Sequence, residues 1–143
     1  MTPKQIQLVK SSFAKIAPVK DQAAALFYRR LFELDPDLQR LFRGDMATQD
    51  AKLMAALGAA VASLDQMARI LPAVRRLGRR HGAYGVRPEH YAIVGEALIW
   101  TLEQGLGADF TPATRRAWTD AYANVAWAMI AAAEEDDALA QAA

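Results

Sequence analysis

Apolar residues recur every three or four positions along most of the chain, which is the spacing of one face of an α-helix. No segment alternates apolar and polar residues as a half-buried strand does. The pattern therefore predicts an all-α protein in which each helix buries one face. The predicted faces are Ile6, Val9, Phe13 and Ile16; Phe27, Leu31 and Leu34; Leu53, Leu57, Ala60 and Leu64; Ile70, Val74, Leu77 and His81; Tyr91, Val94, Leu98 and Leu102; Trp118, Tyr122, Val125 and Met129.

Caps and prolines divide these faces into about seven helices with short connections. Thr2 and Thr111 each precede a proline, and a cap followed by proline is typical of a helix start. The second helix is predicted over 21–34. Pro36 then separates it from a short helical turn that leads to Phe42.

The boundaries of the third and fourth helices rest on weaker signals. Thr48 is predicted to cap the third helix, and Pro72 is predicted to open the fourth. Gly82 and Gly85 are predicted to end that fourth helix. From the residues alone, several all-α architectures remain open, including a helical bundle and a helical adaptor domain.

Length and composition suit one domain with a substantial core. The chain has 143 residues, of which 53% are hydrophobic. We predict a single domain over 1–143, with a polar, alanine-rich tail from about residue 134. Because the net charge is only +1, neither a nucleic acid nor an anionic membrane is expected as a partner.

Two absences bear on the cellular compartment. The chain has no cysteine, which excludes disulfides and thiolate metal sites and suits a reducing environment. Its longest apolar run, 53–62, is ten residues, about half of what a bilayer crossing needs. The first 20 residues carry lysines and no apolar stretch of signal-peptide length. We therefore expect a cytoplasmic protein.

Few residues are candidates for chemistry, and each has an ordinary structural alternative. His81 ends an apolar face, where a buried imidazole needs a metal or a hydrogen-bond partner; a core histidine bonded to the backbone fits equally well. Gln49 begins the apolar face of the third helix and, taken alone, is a solvated glutamine. Tyr28 and Phe42 are, taken alone, packing residues. No nucleophile–base pair, phosphate loop or paired-histidine zinc motif is present.

Three stretches together carry a resemblance that the single residues do not. They are LFYRRLFELDPDLQRLF (26–42), LGRRHGAYGVRPEHYAIVGEAL (77–98) and FTPATRRAWTDAYANVAWAM (110–129). In this order they resemble bacterial single-domain globins and the globin half of flavohaemoglobins, and they are nearly as similar to neuroglobin-like sequences. The resemblance covers about residues 9–129. It implies the globin fold, with about seven helices around a haem pocket.

The resemblance implies a role for each candidate. His81 matches the residue that ligates the haem iron in this family. The haem is expected to be haem b, since the chain lacks the cysteines that attach c-type haem. Gln49 falls at the distal position, 32 residues earlier, with Tyr28 and Lys52 beside the gas. The expected haem contacts are Phe42, Leu53 and Leu57 on the distal half, Leu77, Val86, Val94, Leu98 and Met129 on the proximal half, and Tyr91.

The resemblance also implies the class of function. A pentacoordinate haem iron is expected to bind O2, NO and CO, for O2 binding, storage or delivery. The alternative is an NO dioxygenase that uses a separate reductase, because the 143 residues hold no flavin or nicotinamide domain. A gas sensor is a second alternative. The glutamine at the distal position argues against coordination of the iron by two histidines. The chain is expected to be a monomer or a homodimer.

One feature of the flavohaemoglobin pattern is incomplete. Those proteins support the proximal histidine with a tyrosine and a glutamate. Tyr91 matches the tyrosine, but Ala133 stands where the glutamate is expected, with Glu134 next to it. A missing carboxylate predicts weaker activation of the O–O bond, whereas a shift of one residue in the match would restore Glu134.

Overall fold

The computed structural model describes residues 1–142, in which every regular element is helical and no strand occurs. The all-α prediction is confirmed. The six α-helices are α1 (Pro3–Ile16), α2 (Lys20–Leu34), α3 (Met46–Ala62), α4 (Met67–Ala83), α5 (Pro88–Leu106) and α6 (Pro112–Ala142). Short 3-10 turns cover Ala17–Val19, Pro36–Leu41, Leu64–Gln66 and Gly107–Asp109. The short turn predicted after α2 is the second of these.

Helix α1 begins as the sequence predicts. The hydroxyl of Thr2 accepts the backbone N–H of Gln5, and the Gln5 side chain accepts the backbone N–H of Thr2. This reciprocal pair is a capping box, which satisfies two backbone donors at the helix end. The Gln5 amide also donates to Asp120 of α6 at 2.8 Å. The cap therefore joins the first and last helices.

The prediction that Thr48 caps α3 is wrong. The cap is Asp45, whose carboxylate accepts the backbone N–H groups of Ala47 and Thr48. An aspartate reaches two orphan donors at once and places negative charge at the positive end of the helix dipole, so it outcompetes the threonine.

The predictions for both ends of α4 also need correction. The helix begins at Met67 and carries Pro72 inside it. The missing proline N–H leaves the carbonyl of Ala68 unpaired, and both residues are exposed, so water can satisfy that group. At the other end, Gly82 is still helical and the helix ends at Ala83. Gly85 follows with a φ of +96°, which favours glycine.

The buried apolar side chains form two separate clusters. The larger one brings together α1, α2, α3, α5 and the first half of α6, and it includes Phe27, Tyr28, Leu31 and Trp118. The smaller one lies between α4 and α6 around Val74 and Met129. Helix α4 packs chiefly on α6 and much less on the other helices. The polar tail from about residue 134 continues α6 as far as Ala142; the last residue of the predicted domain lies outside the described residues.

Among the described residues, no single helix is long and apolar enough to cross a membrane. Helix α3 and the following segment Leu64–Ala83 meet the length and composition criteria only as a pair, with a bend of 60° between them.

Candidate functional site

Tyr28 and Gln49 lie together at the junction of α2 and α3. The Gln49 amide nitrogen donates a hydrogen bond of 3.3 Å to the Tyr28 hydroxyl oxygen. Tyr28 is only 5% exposed, and its ring meets Phe27 and Phe42 edge-to-face, with centroids 5.0 and 5.2 Å apart. Burial raises the pKa of the Tyr28 phenol, so the hydroxyl keeps its proton at neutral pH.

Aromatic rings surround Tyr28, since Phe32 is also within 6.0 Å between ring centroids. Phe42, Leu53 and Leu57 are half-buried and pack against the larger cluster. Lys52, which was expected inside the site, has an exposed side chain. The Tyr28 ring is therefore bordered by hydrocarbon, and a hydrogen bond from its hydroxyl to a ligand is worth more there than in water.

His81 lies near the end of α4 and is half-buried. Its Nδ1 is 2.8 Å from the carbonyl oxygen of Leu77, one turn earlier, so the imidazole donates to the backbone from this nitrogen. That bond fixes the tautomer in which Nε2 keeps a free lone pair. Burial lowers the pKa of His81, so the neutral form dominates at pH 7. Both features suit an imidazole that ligates a metal through Nε2.

The remaining predicted contacts divide between the two clusters. Leu77, Tyr91 and Met129 belong to the smaller cluster beside α4. Val94 and Leu98, which were expected on the proximal half of the haem, pack with the larger cluster. The reason is that α5 packs mainly on α2. Val86 is half-buried in the connection between α4 and α5.

The residues that the resemblance relates to the support of His81 are Tyr91, Ala133 and Glu134. Ala133 faces Gly82, where an added β-carbon would lie 3.0 Å from its own. Glu134 lines a cavity together with Tyr91. The buried Tyr91 hydroxyl has no hydrogen-bond partner among the described residues. The imidazole of His81 is thus oriented by a backbone carbonyl and not by a carboxylate.

The structure also places two residues to which the sequence analysis assigned no role at the site. The Tyr122 hydroxyl donates a bond of 2.6 Å to the backbone carbonyl of Tyr91, which ties α6 to the start of α5. Asp50 follows Gln49, and its Oδ1 is buried without a partner among the described residues. The residues next to position 50 in the sequence are mostly polar, so nothing in the sequence indicated that this carboxylate would be buried.

Replacing Asp50 with asparagine is expected to raise the melting temperature at pH 7. Burial, with the nearby charges of Asp21 and Asp45, raises the pKa of this carboxyl, so its charged form destabilises the fold. The gain should be complete above the raised pKa and vanish below the unfolded pKa of about 3.9. Thermal unfolding at pH 7 and pH 3 measures this, with exposed Asp37→Asn as the control; lower stability at pH 7 would contradict it.

The side chains that could ligate a metal bear on whether a haem fits this chain. No three His, Asp or Glu side chains come together as metal ligands within residues 1–142. A single imidazole holds a metal weakly, so an iron at His81 needs ligands from a macrocycle such as a porphyrin. Three features of the chain suit such a group. They are the free Nε2 of His81, the apolar residues of the two clusters and the neutral Tyr28–Gln49 pair. The residues present fit a haem.

Comparison with known proteins agrees with this geometry. The globin family model matches residues 25–129. A neuroglobin of Tetraodon nigroviridis is 33% identical over 143 positions, covering 90% of each chain. A flavohemoprotein of Bacillus subtilis is 35% identical over 130 residues, which are 89% of this chain. The chain spans only a third of the length of that flavohemoprotein.

Solved structures give the same result. An engineered carbene transferase made from a protein of Rhodothermus marinus, which is assigned as a nitric oxide dioxygenase, superposes with a TM-score of 0.88. It is 29% identical, and 99% of each chain is covered. A bacterial globin from Campylobacter jejuni has a TM-score of 0.81 over 94% of this chain and 97% of its own, at 24% identity, and so supports the fold alone. This chain belongs to the globin family, whose members hold haem and bind diatomic gases.

Proposed function

We propose that this globin holds haem b through the Nε2 of His81 and binds O2 reversibly, for storage or delivery in the cytoplasm. The observation that carries the proposal is the hydrogen bond between Gln49 and buried Tyr28. Ferrous haem supplies a coordination position at which a diatomic gas binds. What this chain adds is the selection of the gas and control of how long it stays.

Selection follows from the direction of the hydrogen bonds. The Gln49 amide donates to the Tyr28 oxygen, so the phenol proton is free to point at a third group. The amide also has a second N–H to donate. A donor whose own oxygen accepts a hydrogen bond is polarised and donates more strongly. The pair therefore offers two neutral donors to a ligand that carries partial negative charge.

O2 gains from such donors more than CO does. Hydrogen bonds to a charged acceptor contribute about 1.5–3 kcal/mol each. CO is much less polar when bound and gains less from the same two groups. The pair thus favours O2 and slows its release, while Phe42, Leu53 and Leu57 limit the access of water.

Tyr28→Phe is expected to raise the O2 dissociation rate by about 10–100-fold, since it removes one donor worth about 1.5–3 kcal/mol. The CO dissociation rate should change by less than about threefold. Stopped-flow release from the ferrous protein measures both rates. Tyr84→Phe is the matched control, because Tyr84 is 69% exposed. An O2 release rate within about twofold of the unmodified protein would exclude the proposed hydrogen bond.

A second candidate function is the oxidation of NO, NO + O2 + e⁻ → NO3⁻, with a separate reductase as the electron source. It is supported by the Tyr28–Gln49 pair and by similarity to a flavohemoprotein and to a protein assigned as a nitric oxide dioxygenase. It is weakened by the Leu77 carbonyl at Nδ1 of His81, because a neutral carbonyl increases the donor strength of the imidazole less than a carboxylate does. Nitrate formation from NO, measured with an added reductase, distinguishes the two candidates.

A further inference from the structure

Helix α4 has a charge distribution unlike the rest of the chain. It holds five of the 17 basic residues and none of the 16 acidic ones, so the remaining residues have a net charge of −4. The nearly neutral total hides this asymmetry. The cationic helix is also the one that carries His81.

Two of the five arginines are neutralised within the fold. Arg75 pairs with Glu135, and Arg79 pairs with Asp136 at 3.4 Å, both on α6. These pairs fasten α4 to α6 close to His81.

The other three arginines form what we call the α4 stripe: Arg69, Arg76 and Arg80. They are spaced by seven and four residues, which places them within about 20° of one line along the helix, about 16 Å long. All three are exposed, and none pairs with a carboxylate in the described part of the chain. Next to the stripe runs a shallow groove that includes Leu71, 39% exposed, and Pro72.

We propose that the α4 stripe and its groove dock an acidic electron-donating flavoprotein. This rests on the proposed function, because both reversible O2 binding and NO oxidation require ferrous iron. Exposed arginines around an apolar patch match the composition of transient protein interfaces, in which charge steers the encounter and apolar contact completes it. A reduced flavin in the partner would supply the single electron that converts ferric haem iron to the ferrous state.

The position of the stripe suits this partner. Arg80 is adjacent to His81 in the chain, and Arg76 precedes it by five residues. A protein seated on the stripe is therefore separated from the proximal imidazole by no more than the width of one helix, about 10–12 Å. Electrons have only this short distance to cross.

Charge outside α4 argues against other anionic partners. A nucleic acid or an anionic membrane extends far beyond three arginines, and the remaining surface, with its net charge of −4, would repel it. A small acidic patch on a protein meets the stripe without meeting that surface.

The test compares two triple variants of the haem-loaded full chain that lose the same charge. The stripe variant is Arg69→Gln, Arg76→Gln and Arg80→Gln. The control is Lys4→Gln, Lys20→Gln and Arg116→Gln, three exposed cations outside α4 that form no ion pair in the described part of the chain. The probe is a flavodoxin, an acidic protein that carries flavin mononucleotide, titrated by calorimetry at several salt concentrations.

We expect the stripe variant to bind the flavodoxin at least tenfold more weakly, with a reduced salt dependence, and the control to change by less than threefold. Equal losses in both variants would mean that only net charge matters and would overturn the proposal. No binding by the unmodified chain at low salt would also overturn it, as would tighter binding to vesicles of anionic lipid or to duplex DNA under the same conditions. O2 release after dithionite reduction should be the same in both variants, so a failure of the proposed function appears in Tyr28→Phe and not in these affinities.

Discussion

Gly78→Ala is expected to lower the free energy of unfolding by about 3 kcal/mol or more, the largest loss of stability predicted for a single methyl group in this chain. Gly78 is buried where α4 crosses α6. A β-carbon there would lie 2.5 Å from the Cα of Met129 and 2.8 Å from its carbonyl carbon. Backbone atoms cannot rotate aside as a side chain can, so the two helices must separate.

Separation of these helices also disturbs the site. His81 lies three residues after Gly78, and the same crossing aligns Leu77 with Met129. For a chain of this size, 3 kcal/mol corresponds to a fall in melting temperature of about 6–12 °C. Thermal unfolding with and without haem measures the effect, and we expect weaker haem retention in the variant.

Gly58→Ala is the matched control, because Gly58 is also helical but its neighbours leave room for a β-carbon. A β-carbon there would meet only the ring of Phe13, at 3.7 Å and 3.8 Å, which is ordinary van der Waals contact. Alanine is a better helix former than glycine by about 1 kcal/mol, so this variant should be slightly more stable. A stabilised Gly78→Ala would show that α4 and α6 do not cross as closely as described.

The contrast between the two glycines shows what the sequence alone could predict. Both lie inside helical patterns, and nothing local distinguishes them. The role of Gly78 depends on Met129, 51 residues later, so only the tertiary structure reveals it. The apolar period of the helices, in contrast, is a local property, and it predicted the all-α class correctly.

The two wrong predictions at helix starts arise because neighbouring groups compete for the same position at the helix end. Thr48 is a reasonable cap, yet Asp45 forms more hydrogen bonds to the same helix end. Pro72 is a reasonable first residue, yet a proline is tolerated inside α4 because Ala68, whose carbonyl it leaves without a helical partner, is an exposed residue. The preference of single residues for helix ends therefore suggests which residues could begin a helix, but it does not decide which of them does.

The site was predictable only through the resemblance. Gln49 and Tyr28 are 21 residues apart, and each taken alone is an ordinary helical residue. Their hydrogen bond confirms that the two side chains meet, whereas their role toward a gas remains a prediction. The charge partition that defines the α4 stripe was visible in the sequence. Which arginines α6 neutralises was not visible, because Glu135 and Asp136 lie 57 or more positions away.

His81→Ala is expected to abolish stable haem binding, with pigment per chain falling at least tenfold after purification with excess haem. The iron would lose its only proposed protein ligand, and apolar burial of the porphyrin, at about 25 cal/mol per Å², would remain as the sole source of affinity. Circular dichroism should still report a helical chain, because Leu77 loses only a local hydrogen-bond partner. Absorbance of bound haem per protein is the measurement.

The chain supplies its own control in its other histidine. The Nδ1 of His90 accepts the backbone N–H of Arg87 and caps α5, so His90→Gln should keep a carbonyl acceptor at that helix end and leave haem content unchanged. Free imidazole should restore pigment to His81→Ala, since it can enter the space that the side chain vacates and supply the missing nitrogen. Of the two histidines, only His81 has both an oriented ring and a free Nε2. Pigment that is retained in His81→Ala without added imidazole, or that is lost equally in His90→Gln, would therefore contradict iron binding at position 81.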